Sequence, residues 1–148
     1  MSSASDTPRL YLGAYGFCRD PSGRLLLVRL AGGLDEGRWT MPGGGIEWGE
    51  NPQAAVLREL EEEAGILEVE TIRVTEVFSH TYTKSDERPY DSVHHVGIIY
   101  SVTVGWLDLT FEQDGSTDRC EWCTESQARS FPLTPLGAFA VDLAWPGS

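Results

Sequence analysis

GGIEWGENPQAAVLRELEEEAGI, Gly44 to Ile66, puts glycines, a helix start and a cluster of carboxylates into one short segment. Asn51 suits an N-cap, Pro52 the first helical position and Gly65 a left-handed C-terminal stop, so the segment predicts a helix from Pro52 to Ala64. At about 100° per residue Val56, Leu57, Leu60 and Ala64 fall on one side, with Glu59, Glu62 and Glu63 on nearly the opposite side. One side is expected to join the core and the other to stay acidic. Ala55 points to the acidic side, where its small side chain leaves space. Carboxylates at i, i+3 and i+4 repel by about 0.2–0.5 kcal/mol per close pair unless something neutralises them. A bound divalent cation reverses that sign.

An isolated ELEEE run reads most simply as a solvated helix face. The wider spacing argues otherwise: Gly44, five residues, Glu50, seven residues, then Arg58-Glu59-Leu60-Glu61-Glu62-Glu63-Ala64-Gly65-Ile66. This resembles the box of the MutT-like Nudix hydrolase family, G-x5-E-x7-R-E-U-x-E-E-x-G-U with U apolar, at every specified position. Ordinary composition makes such a match by chance on the order of 10⁻¹⁰ per register. Beyond the box, only the WTMPGGG lead-in, Trp39 to Gly45, is similar at the residue level, while the layout is similar from Leu10 to Ala144.

The resemblance implies an α/β protein with the Nudix fold, an α/β/α sandwich around a mixed β-sheet. It also implies Mg²⁺-dependent hydrolysis, with Mn²⁺ as a substitute, of a pyrophosphate bond in a nucleoside diphosphate linked to another moiety, by water attack at phosphorus. By the same resemblance Glu59, Glu62 and Glu63 are metal ligands, the Gly43 carbonyl is a further one, and Glu50 is a secondary or water-mediated contributor. Hard divalent ions suit such oxygen donors, and bound ions would polarise the phosphorus and stabilise the leaving phosphate. Arg58 resembles the family arginine that orients a box glutamate. Glu62, Glu63 and Arg58 are the expected catalytic set, with Glu62 taken as general base although that role differs between branches. Many relatives add an acidic ligand from a downstream loop, for which Glu112, Asp114 and Asp118 are candidates; each reads more simply as a solvated loop residue.

The chain's 148 residues suit one domain. Residues 1–9 are expected to be a disordered lead-in and residues 10–145 a single domain. No apolar run approaches the ~18–20 residues of a membrane span, and MSSASDTPRL lacks the basic-then-apolar pattern of a signal peptide. Cys18, Cys120 and Cys123 are an odd, sparse set that fits a reducing compartment, so the cytoplasm is the expected location. Cys120-Glu-Trp-Cys123 has zinc-like spacing and His94-His95 would complete a set, but no second close-spaced pair accompanies it, and packing is the plainer use. A net charge of −12 disfavours polymeric nucleic acid and anionic membranes as partners. A small phosphorylated substrate remains compatible with it, and the basic residues are almost all arginine, which suits bidentate phosphate recognition, with Lys84 the only lysine.

In chain order, Leu10 to Cys18 reads as a strand, Asp20 to Gly23 as a turn and Leu25 to Leu30 as a buried strand completing a hairpin. Gly43, Gly44 and Gly45 let the backbone approach an anion or metal closely. Ile72, Val74, Glu76 and Phe78 alternate as a strand from Glu70 to Ser79, and Val93 to Val104 is a long one. Short strands are expected over Trp106 to Glu112 and Cys120 to Thr124, a capping box at Thr124 and Gln127, and a helix from Pro135 to Ala144 with Leu136, Phe139, Ala140 and Leu143 on one face.

Substrate identity is less legible. Arg29, Arg38, Lys84 and Arg88 are candidates to face phosphates, and Trp39, Tyr82 and Trp122 to stack on a base, although surface charge and core packing explain most such residues. Of these, Arg38, Tyr82 and Lys84 are the expected substrate contacts. Tyr82 lies sixteen residues beyond Ile66, as a tyrosine does in the family's dinucleoside polyphosphate hydrolases. The proline of ADP-ribose pyrophosphatases and the SQPWPFPxS of the NADH branch are missing, and a nucleoside triphosphate house-cleaning activity stays open. A nucleotide-sensing binding module is the alternative function, and an isoprenoid diphosphate isomerase is a third. Similar proteins are commonly homodimers.

Overall fold

In the computed structural model, which describes residues 5–111 and 114–147, the elements run β1 (Arg9–Arg19), β2 (Leu25–Leu30), β3 (Trp39–Thr40), β4 (Gly43–Gly45), α1 (Pro52–Ala64), β5 (Thr71–Tyr82), β6 (Val93–Thr103), β7 (Thr117–Cys123), α2 (Glu125–Ser130) and α3 (Pro135–Ala144). The strands form one mixed sheet in the order β3-β2-β1-β6-β5, with β4 on β1 and β7 on β2. β1 is its axis. One edge pairs parallel with β6 over its whole length, Arg9 with Val93 through Arg19 with Thr103. The other edge is shared, pairing antiparallel with β4 at Gly13 to Tyr15 and with β2 at Arg19.

Both faces of the sheet are covered, which explains why LLLV of β2 is an unbroken apolar run. Leu26 and Val28 join Ala14, Cys18, Tyr100 and Val102 under α1, while Leu25 and Leu27 join Tyr15, Phe78 and Ile99 under α2 and α3. Helix, sheet and helix thus make the expected sandwich. Cys120 faces the α1 side and Cys123 the other, three residues apart on one strand, so the two thiols cannot share a metal. Among the described residues no helix is long and apolar enough to cross a membrane.

α1 has its expected bounds: Asn51 accepts from the Gln53 and Ala54 amides, and Gly65 closes the end at φ 72°. Its buried arc is rotated from the expected one. Leu57 is 37% exposed, whereas Ala55 is buried in the core and Glu63 is only 2% exposed. Seven residues bring Glu63 back to within about 20° of Val56, so a face centred on Val56 and Leu60 takes the last box glutamate inside. α3 is turned too, burying Leu136, Gly137, Ala140, Val141 and Ala144. Gly137 sets this phase, since a Cβ there would meet the Trp39 carbonyl of β3 at 2.5 Å.

Two expectations along the sheet change. Trp106 to Phe111 is not a strand, and Glu112 lies outside the described residues. The Thr110 amide instead donates to the Ala64 carbonyl at the end of α1, while Leu107 and Leu109 pack on the core. In β5 the register shifts between Val74 and Glu76, breaking the alternation and leaving Val74 and Val77 exposed while Phe78 is buried. The lead-in is held from Asp6 onward: Asp6 accepts from the Ser92 amide and hydroxyl, and β1 already begins at Arg9.

The β1–β2 turn is organised by one buried carboxylate. Asp20 accepts from the Ser22 and Arg24 amides, the Ser22 hydroxyl and the Arg24 guanidinium. Burial opposes ionisation, but these bonds and the Arg24 charge outweigh it and hold Asp20 below its usual value near 3.8. Asp20→Ala should cost about 1–3 kcal/mol in urea unfolding at neutral pH. Because the folded value is the lower one, this stability is complete above pH ~4 and is lost as pH falls through the folded value. The gap between wild type and variant should therefore close in acid; a gap independent of pH would remove the charge from the explanation.

Candidate active site

The site is built where α1 passes β4. Arg58 sits midway along α1 and spreads its guanidinium across the box carboxylates. Its Nε and Nη2 donate to the two Glu50 oxygens at 2.8 and 3.0 Å, and Nη1 donates to Glu59 at 3.0 Å and to Glu62 at 3.5 Å. Glu47 lies at 4.0 Å. One planar cation thus gathers the acidic side that sequence periodicity leaves self-repelling, and a fork is the shape for that task. The Arg58 hydrogen bonds hold the Glu50 carboxyl below its usual range, and Glu50 raises the Arg58 guanidinium in return.

The three box glutamates occupy different environments. The Glu63 carboxylate accepts from the Gly43 amide at 2.8 Å across the gap to β4. Glu59 has a side chain 12% exposed and Glu62 one 47% exposed. Among the described residues no three acidic, histidine or cysteine side chains already converge as a ligand set, because Glu59 and Glu62 turn toward Arg58 and Glu63 toward Gly43. The residues nevertheless fit a hard divalent cation. The donors are all oxygen, and Gly44 leaves the Glu59 carboxylate the space it uses: a Cβ there would lie 2.9 Å from Glu59 Oε1.

Gly43 and Gly44 should therefore respond differently to alanine. At Gly43 φ is 138°, and a Cβ would collide with the Ala14 carbonyl of β1, so Gly43→Ala should yield little folded protein. Gly44→Ala pushes only on a carboxylate; it should fold, with turnover reduced roughly 10- to 100-fold by a misplaced Glu59. Thermal melts and initial rates check both, and wild-type rates for Gly44→Ala would contradict a role for Glu59 placement.

A cavity of about 620 Å³ opens beside these residues, a volume suited to a nucleotide-sized ligand. Gly43, Gly44 and Glu63 line it near the row where Tyr15 pairs with Gly43. Tyr82 and Arg9 line it near the row Arg9–Val93–Tyr82, six residues along β1, or about 20 Å at ~3.3 Å per residue. Tyr11 and His95 lie between.

Of the residues singled out in the sequence, Glu50, Arg58, Glu59, Glu62, Glu63 and Gly43 come together here, and Tyr82 lines the same cavity with the Arg88 guanidinium 4.4 Å from its ring centroid. Arg38 and Lys84 do not line it. Arg38 donates to the Leu133 carbonyl, and Lys84 to the Pro89 carbonyl of its own loop. Asp118 pairs with Arg29 at 2.8 Å, Asp114 is exposed at φ 58°, and Glu112 is outside the described residues. Trp39 stacks on Phe131, and Trp122 packs against the α1-side core. Tyr15 and Arg9 also line the cavity and were not singled out, and His95, weighed only as a zinc ligand, lines it too, since strand alternation marks an inward face without saying what that face looks onto.

The NUDIX domain family model matches residues 10–141, and the chain belongs to that family. An RNA pyrophosphohydrolase of Saccharophagus degradans is 48% identical over 59 residues, 38% of this chain and 34% of that protein. A MutT-like protein of Streptomyces ambofaciens is 38% identical over 78 residues, 53% of this chain and 48% of that one. The matches thus span about a third to a half of those relatives. Among solved structures, the MutT NUDIX hydrolase of Burkholderia pseudomallei superposes with a TM-score of 0.64 at 22% identity, covering 93% of this chain and 98% of that one. The NUDIX domain of Shewanella oneidensis NrtR, complexed with ADP ribose, gives 0.70 at 18% identity, covering 95% and 88%. These similarities establish the shared fold.

Proposed function

We propose that the protein is a Nudix-type pyrophosphohydrolase that cleaves the pyrophosphate bond of a nucleoside diphosphate linked to another moiety, by water attack at phosphorus with Mg²⁺. The observation carrying this reading is the assembly of the whole box around Arg58, with Glu63 facing Gly43 at one end of a nucleotide-sized cavity.

In this reading Glu59, Glu62, Glu63 and the Gly43 carbonyl hold the metal, with Glu50 contributing through water. When bound, the ion supplies Lewis-acid polarisation of the phosphoryl group and charge neutralisation of the leaving phosphate. The chain does the rest. Arg58 gathers Glu50 and Glu59 by hydrogen bonds, which keeps the clustered carboxylates together with their like charges balanced. Glu62, the most exposed of the three, takes the proton of the attacking water. Tyr82 and Arg88 bind the substrate away from the carboxylates. The three free, buried thiols suit the reducing cytoplasm.

The test is a panel of nucleoside diphosphate derivatives, nucleoside triphosphates, dinucleoside polyphosphates and a short RNA with a 5′-triphosphate, assayed with Mg²⁺ and Mn²⁺ and with products resolved by chromatography. The RNA is included because the S. degradans relative carries that name. The net charge of −12 favours the small substrates. Metal-dependent release of a nucleoside monophosphate is the expected result. Tight nucleotide binding without turnover would overturn it in favour of a sensing module.

A further inference from the structure

His95 is not among the box residues, yet it lines the same cavity, and its surroundings look built for it. Its Nε2 lies 2.7 Å from the Tyr15 hydroxyl. Tyr11, Tyr15 and Phe78 all present the imidazole with edge-type contacts, at centroid distances of 5.4, 5.4 and 5.3 Å and interplanar angles of 63°, 69° and 72°. Tyr15 itself depends on two glycines that are cross-strand partners, Gly13 of β1 and Gly97 of β6. A Cβ on Gly97 would sit 3.0 Å from the Tyr15 ring, and one on Gly13 would collide with it. The two missing side chains make the space in which the Tyr15 ring lies across the sheet and reaches His95.

The second ring nitrogen, Nδ1, has no partner among the described residues. Among those residues Arg19 Nε is the side-chain N or O atom that is fully buried without a hydrogen bond. Nδ1 is therefore reachable from solvent, on a residue that lines the cavity. His95 pairs with Tyr11, four residues along β1 from the Tyr15–Gly43 row, or about 13 Å at ~3.3 Å per residue. That sets its backbone further along the cavity than Gly43, toward Tyr82 and, in the pyrophosphohydrolase reading, level with whatever a diphosphate at Glu63 carries.

We propose that Nδ1 of His95 hydrogen-bonds the nucleoside part of the substrate, which makes His95 a specificity-determining residue and Tyr15 the residue that positions it. The assignment rests on the pyrophosphohydrolase reading for the placement of the phosphates. Burial, with His80 and His94 nearby, holds the imidazole below its ordinary value, so at neutral pH it meets the substrate uncharged. An uncharged donor or acceptor locked in one orientation discriminates among sugars and bases better than among phosphates.

The test compares wild type, His95→Phe, His95→Gln and Tyr15→Phe, each first shown to be folded by thermal melting. Calorimetric Kd values are measured in Mg²⁺ for ADP, 2′-deoxy-ADP, GDP and inorganic pyrophosphate. His95→Phe should weaken the nucleoside diphosphates about 10-fold and leave pyrophosphate unchanged, with His95→Gln recovering part of the loss and Tyr15→Phe showing a smaller one. A loss confined to ADP against its deoxy form assigns the contact to the sugar, and one that differs between ADP and GDP assigns it to the base. Equal weakening of pyrophosphate, no change for any nucleoside diphosphate, or a wild type that binds them no better than pyrophosphate overturns the proposal. Binding needs no turnover, so a wild type that binds ADP through His95 without hydrolysing any substrate would refute the hydrolase reading and leave this one standing.

Discussion

Glu63→Gln should lower kcat by at least about 10²- to 10³-fold while leaving the protein folded, the loss expected when one pre-placed electrostatic group is removed from a reacting centre. Glutamine has the volume of glutamate, and its carbonyl oxygen still accepts from the Gly43 amide at the observed 2.8 Å. What disappears is a charge on a residue only 2% exposed. Burying a carboxylate costs several kcal/mol of solvation, so a neutral replacement of equal shape should melt at the same temperature or higher. A protein that loses turnover while gaining stability is the signature of a group retained for chemistry. Near-normal hydrolysis by Glu63→Gln, measured by product chromatography at saturating substrate and metal, would remove Glu63 from the catalytic set.

Arg58→Lys should be damaging on both counts, and the supposedly conservative nature of the change is what makes it informative. Lysine keeps the charge but cannot reach the two Glu50 oxygens and Glu59 at once, which the guanidinium does at 2.8 to 3.0 Å. Glu50 and Glu59, whose side chains are 16% and 12% exposed, are then left facing each other with one point charge between them. We expect a loss of about 2–3 kcal/mol in urea unfolding. With the rotamers of Glu59 and Glu62 no longer fixed, kcat/KM should fall roughly 100-fold. If Arg58→Lys keeps wild-type stability and rate, the guanidinium fork is not what orders the cluster.

Local signals made α1 legible from sequence, because Asn51, Pro52 and Gly65 are caps whose chemistry acts within a few residues. The sandwich followed from the family resemblance of a contiguous box. Phase was harder. Counting periodicity by apolar residues alone put Leu57 inside and Glu63 outside, and the packing reversed both, since the buried arc is set by what the helix lies against. The Tyr15–His95 contact joins residues eighty apart through the parallel register of β1 and β6, and no local pattern reports such a register. Arg38 and Lys84 lie off the cavity, Arg38 donating to the Leu133 carbonyl ninety-five residues on, which no local pattern brings near, and Lys84 to the Pro89 carbonyl of its own loop. The Trp106 to Glu112 pattern alternates as a strand does, yet the Thr110 amide is taken by the end of α1.

The placement of the three cysteines has a practical side. Cys18 and Cys120 lie in the layer under α1, and Cys123 lies in the layer under α2 and α3. Burial lifts the thiols to about 12, 11 and 12 respectively, so none is reactive while its layer is closed. Alkylation of the native protein, followed by peptide mass, would then time the opening of each helical layer separately, with reporters already in place and no engineered label.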